Sequence, residues 1–220
     1  MNRRLGIAYI VVALVLAACA QINPLTGGVK DQYAPKIDSS GTYPLSGQTN
    51  FQSDKIVIKF QEYIKLNNPN DNIIVTPQLT NKPEVTVKNK KLTLQFTEEL
   101  KANTTYTISF NHAVADITEK NDSIFQFVFS TGNFIDSLAY SGRVIDAFTN
   151  KPQEGYLVGL YDVNTATEFD SIPFKDRPVY IAQTGANGNF KMNYLKGGDY
   201  FLFAIDDENK NLKLDPIENR

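Results

Sequence analysis

Apolar and polar residues alternate in short runs over most of the chain. Ile56, Ile58 and Phe60 are interleaved with Lys55, Val57 and Lys59, and Leu92, Leu94 and Phe96 with Thr93 and Gln95. A period of two puts each set on one face of a half-buried strand. Tyr106, Ile108 and Phe110 oppose Thr105, Thr107 and Ser109, and Phe125, Phe127 and Phe129 oppose Gln126 and Ser130. Ile73 to Val75 and Val85 to Val87 read as shorter strands, separated by Pro77, Asn81 and Pro83, which belong in turns or at edges. About seven short strands at this spacing predict a β-sandwich of immunoglobulin type. A second set follows: Ala139 to Ile145, Leu157 to Asp162, Val179 to Thr184, Phe190 to Tyr194 and Tyr200 to Ile205. Asn187-Gly188 predicts a hairpin turn, because both residues tolerate positive φ, and Gly197-Gly198 marks another turn. The fold class expected is all-β, with two tandem sandwiches.

The amino terminus breaks the pattern. Arg3 and Arg4 precede an apolar run from Leu5 to Ala18, shorter than the roughly 20 residues that span a bilayer. Charged, apolar and small-residue regions follow in the order of an export signal. The run closes on Leu16-Ala17-Ala18-Cys19, which resembles a bacterial lipobox. The resemblance implies a signal peptide over residues 1–18, cleavage before Cys19, and acyl chains on its thiol and new amino terminus. More than one chain is what stable anchoring requires, each buried methylene contributing about 0.8 kcal/mol. Residues 19–35, polar with Pro and paired Gly, read as a lipidated tether able to reach roughly 50 Å when extended.

Composition narrows the function. The 220 residues carry a net charge of -2 with mixed signs, which excludes a basic face for nucleic acid. Cys19 is the one cysteine, so no disulfide forms within the chain. Fourteen Phe and 11 Tyr stand beside no Trp, a bias toward strands.

Two family resemblances follow from motif order. Pro44-x-x-Gly47, then Ile56 to Phe60 with Glu62, Thr104 to Ile108, Asp116, and Phe127 to Gly132 resemble the bacterial Ig-like domain first named from S-layer proteins. The match runs from about Asp31 to Gly132, with the domain itself at 36–132. That family's Asp-x-x-Gly-Asn turn lacks its glycine here, where Asp116 leads into Ile-Thr-Glu-Lys-Asn. Gly142 to Asp146, Pro152, Thr184-x-x-Asn187-Gly188-Asn189-Phe190 and Leu195-x-x-Gly198-x-Tyr200 resemble the carboxypeptidase regulatory-like domain, a transthyretin-like sandwich, over 138–220. Gly185 stands where that family commonly has an acidic residue. The connector Asn133 to Ser137 is short enough to restrict motion between the domains. Sandwiches of the second type usually continue into a further strand beyond the point reached at Arg220; its absence would leave an unpaired edge.

The polar constellation Asp207 to Glu218 places Asp207, Asn209, Asn211, Asp215 and Glu218 at positions 1, 3, 5, 9 and 12 of a calcium loop, with the Lys213 carbonyl at position 7. Similar loops occur in Cna-like surface domains. Leu212 replaces the usual Gly, and only three side-chain ligands are charged, so the expected affinity for Ca²⁺ is weak, on the order of 10⁻⁴ to 10⁻³ M. The same residues also read as a solvated polar hairpin. Ser123, Ser137 and Ser171, each in an Asp-Ser-aliphatic tripeptide, resemble O-glycosylation sites of exported proteins in one group of Gram-negative bacteria. His112 has no Cys or Ser partner in a recognisable motif and reads as a surface residue, Glu98-Glu99 as a solvated turn, and Glu62 with Tyr63 as a strand end or part of a binding face.

These features predict a non-enzymatic protein held by lipid in the cell envelope, in the outer membrane of a Gram-negative bacterium, on either face. It would act as a structural spacer, adhesion or interaction module toward a protein or glycan partner. The alternative is a carbohydrate-binding lipoprotein of a nutrient-uptake system, which would cluster Tyr or Phe rings outward on one concave surface.

Overall fold

The computed structural model describes residues 28–166 and 168–215; Cys19, the signal segment and Glu218 lie outside them. Seven strands build the first lobe: β1 (Lys55–Lys59), β2 (Ile64–Leu66), β3 (Ile73–Thr76), β4 (Glu84–Lys88), β5 (Lys91–Gln95), β6 (Thr105–Asp116) and β7 (Asp122–Ser130). One sheet has the order β1-β5-β4, all antiparallel. The other is organised around β6, whose length lets it pair with β7 on one edge and with both β3 and β2 on the other, at Thr107 to Phe110 and Val114 to Asp116.

The alternation explains the core. Ile56, Ile58, Phe60, Leu92 and Leu94 from one sheet meet Tyr106, Ile108, Phe110, Phe127 and Phe129 from the other, all essentially without solvent contact. Each such side chain contributes about 1.5–3 kcal/mol on burial. Tyr106 stacks on Phe129 with centroids 5.4 Å apart, Phe110 stacks on Phe125 at 4.5 Å, and Phe51 meets Phe129 edge-on at 4.7 Å. The opposite face of β6 and β7 is not uniformly wet: Thr105, Thr107, Val128 and Ser130 are buried too. The connector accounts for part of this, since the Asp136 N–H donates to Thr105 Oγ1 at 2.8 Å.

The second lobe has a sheet of order β10-β9-β12 (Tyr180–Gln183, Leu157–Asp162, Tyr200–Ile205) and a pair formed by β8 (Leu138–Arg143) and β11 (Asn189–Leu195). Val158, Leu160, Tyr180, Phe190, Met192 and Leu195 make a core of its own. Asn187-Gly188 makes the tight turn expected of it between consecutive strands, with Gly188 at positive φ, 72°; the difference is that β10 and β11 then run into different sheets. Glycine is required at 188 because a Cβ there would run into the Val144 carbonyl, to whose residue the Gly188 carbonyl is also bound. The turn is closed by backbone bonds, Gly188 N–H to the Gly185 carbonyl and Gly185 N–H to the Asn189 carbonyl, so it needs no acidic side chain at 185.

Strand β8 is unusual in that all six residues are exposed. Tyr140 lies opposite Met192 and Gly142 opposite Phe190, so alternate residues of β8 face the same side as the buried side chains of β11. Leu138 and Tyr140 nevertheless remain about half exposed, and among the described residues β8 pairs with β11 alone.

Candidate functional site: the cleft between the lobes

Where the two lobes meet they keep separate cores, and polar contacts join them. The Gln78 N–H donates to the Val179 carbonyl at 2.9 Å, Lys210 Nζ pairs with Asp71 at 3.1 Å, and Asn193 Nδ2 donates to Gln126 Oε1 at 3.3 Å. The first two contacts bracket a cleft of about 270 Å³. On one side lie Ile73, Ile74 and Val75 of β3; on the other lie Ile181, Ala182 and Gln183 of β10. Lys82, Arg177, Asp207 and Lys210 supply charge at its walls. Lys82 is spent locally, donating to the Asn70 carbonyl at 2.8 Å, whereas Arg177 makes no ion pair among the described residues and is exposed. No aromatic ring is among the lining residues.

The Asp207 to Asp215 segment forms one end of this cleft. Two residues in it, Lys210 and Leu212, take left-handed backbone, with φ of 57° and 67°. That conformation lets Asp207 gather N–H donors: Oδ1 accepts from Asn211 and Oδ2 from Leu212, both at 3.0 Å. Asn209 and Asn211 both donate to Asp215 Oδ2, at 2.6 and 2.7 Å. The structure therefore brings together Asp207, Asn209, Asn211 and Asp215, with Lys213 held between them by the Asn211 oxygen at 2.8 Å. A non-glycine residue in left-handed backbone costs of order 1–2 kcal/mol, and Leu212 bears it. Asn209 and Asn211 thus turn their amide nitrogens toward Asp215 and their oxygens toward backbone N–H groups, the hydrogen bonding of a polar turn, and among the described residues no three His, Cys, Asp or Glu side chains converge on a metal position.

The remaining expected sites are scattered. Ser123 is half-buried in β7, Ser137 is exposed in the connector, and Ser171 is half-buried in a 3₁₀ turn. His112 sits at a register shift in β6, with φ of 57°, and its Nδ1 is 2.7 Å from Asp122 Oδ1 in an exposed pair. Glu98 is more than a solvated residue: its carboxylate accepts the N–H groups of Thr80 and Asn81 at 2.9 and 3.0 Å and so shapes the segment after β3. Tyr63 is exposed, with Lys90 Nζ 5.3 Å from its ring centre.

Asp116 organises the β6–β7 turn. It is buried, and its Oδ1 accepts from Glu119 and Lys120 at 2.6 and 3.0 Å while Oδ2 accepts from Asn121 at 2.8 Å. Burial pushes its pKa up, but the backbone donors of residues 118 to 121 outweigh it and hold the carboxyl below its usual value. The missing glycine is replaced by Lys120, which takes φ of 67° immediately before Asn121.

Residues 31–131 match the family model described as a bacterial Ig-like domain, less than half of the chain, and the first lobe is Ig-like. No curated protein matches the sequence. Among solved structures, the N-terminal part of the bacterial S-layer protein SbsC is 17% identical, with 76% of this chain and 33% of that one covered at a TM-score of 0.30. The major pilin subunit of Bacillus cereus is 16% identical, covering 77% and 58% at 0.25. An L,D-transpeptidase from Mycobacterium smegmatis is 11% identical, covering 76% and 79% at 0.31. The chain thus spans a third of the first of these and somewhat over half of the second, and scores of this size carry no functional argument. Among the described residues no helix is long and apolar enough to cross a membrane.

Proposed function

We propose that the chain is a lipid-anchored protein of the cell envelope, held through Cys19, that works without catalysis as a spacer and interaction module. The observation that supports this reading is the way the lobes are built: two separately cored β-units, the first Ig-like, are joined by a short connector and pinned by polar contacts. Such a tandem can offer the surfaces of both lobes to a partner while the tether of residues 19–35 links it to the anchor. On this reading the second lobe is a transthyretin-like module, and the membrane is the outer membrane. The carbohydrate-binding alternative requires rings on a concave surface, and the interlobe cleft offers none.

The Asp207 to Glu218 loop would hold Ca²⁺ weakly through Asp207, Asn209, Asn211, Asp215, Glu218 and the Lys213 carbonyl, its role being to stiffen the loop whose Lys210 reaches Asp71 of the first lobe. Ser123, Ser137 and Ser171 are proposed as glycan acceptors, Ser137 being the most accessible of the three. The deciding experiment for the anchor is fractionation of cells carrying Cys19→Ala. The variant should stay at precursor size and leave the membrane fraction; processing and membrane recovery identical to wild type would sink the reading. Protease shaving of intact cells then assigns the face, because a surface module is digested and an internal one is protected.

A further inference from the structure

The cleft is bounded by two open sheet edges. Strand β3 pairs with β6 alone and β10 with β9 alone, so each has one edge without a strand neighbour among the described residues. The backbone bond from Gln78 to the Val179 carbonyl sets the chain just after β3 beside the chain just before β10. Residues of both strands then line the one cleft. The Val75 carbonyl accepts the Gln78 side-chain amide at 3.0 Å.

We propose that this slot receives an extended polypeptide segment, which would add a strand to the β3 edge, the β10 edge, or both, and so run sheet hydrogen bonding from one lobe to the other. The assignment rests on the reading of the chain as an interaction module and names the chemistry of its partner. Unpaired N–H and C=O groups in a row recognise another strand's backbone before they recognise any side chain. Each edge is four residues long, about 13 Å at the rise of a strand, enough for a segment of three or four residues. The side chains qualify the choice. Ile74, Ile181 and Ala182 favour apolar residues, and Lys82, Arg177 and Lys210 outnumber Asp71 and Asp207, which favours an acidic residue near the free Arg177 guanidinium.

The test uses the full chain and a synthetic peptide of alternating valine and threonine with one central glutamate, titrated beside a twin N-methylated at alternate amides. Pairing through the backbone predicts saturable binding of the first and at least about tenfold weaker binding of the twin, which cannot donate the ladder bonds. Slowed amide exchange should then appear in β3, β10 or both. Arg177→Ala should weaken the glutamate peptide by about two- to fivefold and leave a glutamine version unchanged. No saturation below about 1 mM, or equal binding of the two twins, overturns the proposal. Either result is independent of lipid attachment, so it separates failure of the slot from failure of the envelope reading.

Discussion

Replacing Asp116 by Asn removes one charge and keeps the shape, which makes it the sharpest probe of the first lobe. The amide oxygen can take the place of Oδ1 and keep Glu119 and Lys120 as donors, but the amide nitrogen then faces the Asn121 N–H, donor against donor. A buried donor left unsatisfied costs about 1–3 kcal/mol, and the two surviving bonds lose their charge assistance. The sum is about 2–4 kcal/mol, a large part of a typical domain's 5–15 kcal/mol. The chain has no Trp, so unfolding in urea is best followed by far-UV circular dichroism. The lobes have separate cores, so only the transition belonging to the first lobe should move, with its slope unchanged. The pH dependence supplies a second reading. Asp116 has its folded pKa below the ordinary value, so its stabilisation is complete above about pH 4 and is lost as pH falls through the folded pKa. Wild type and Asp116→Asn should therefore converge toward acid. A loss smaller than about 0.5 kcal/mol at neutral pH, or two curves that stay parallel into acid, would refute the assignment of this carboxylate as the turn's organiser.

Lys120→Gly should stabilise the same lobe by about 0.5–1 kcal/mol, because relief of the left-handed strain exceeds the added backbone entropy of glycine; a lower urea midpoint would contradict it. Tyr161 and Tyr180 are buried and their pKa values are pushed up to about 12 by that burial. The unfolded chain releases these protons near pH 10, so stability should fall between about pH 10 and 12, by at most about 2–3 kcal/mol per ring. Tyr161→Phe should flatten part of that decline, and an unchanged alkaline profile would count against burial as its cause. Calcium at tenfold its Kd should raise stability by about 1.4 kcal/mol through the Asp207 to Glu218 loop. Asp207→Ala should abolish the shift, and calorimetry without heat together with a melting point unmoved by chelator would remove the ion.

Strand positions were readable because their period is carried by the residues themselves. Ile56, Ile58 and Phe60 face inward as their alternation requires, and β9 and β12 span the ranges their apolar runs mark. Strand β2 escaped notice, since Ile64 to Leu66 is too short to show a period. The calcium-like spacing pointed to residues that do gather, while its left-handed Leu212 could be anticipated only as a cost. The interlobe cleft could not be read at all. Gln78 lies just after β3 and Val179 just before β10, about a hundred positions apart, and their bond uses backbone atoms that nearly every residue carries. Asp116 was legible as a motif residue, but its burial depends on the whole turn closing over it.

The joint between the lobes also has a mechanical side. A pull between a membrane anchor and a partner bound at the second lobe would pass through the first lobe and then the joint, where the polar contacts at Gln78, Asp71 and Gln126 are weaker than either packed interior. Those bonds break one at a time, whereas a sandwich resists until its strands shear together. The chain would therefore yield first by unhooking, with the short connector limiting how far it extends, and would recoil with both lobes still folded. An inserted strand that paired with both edges would act as a latch on that motion.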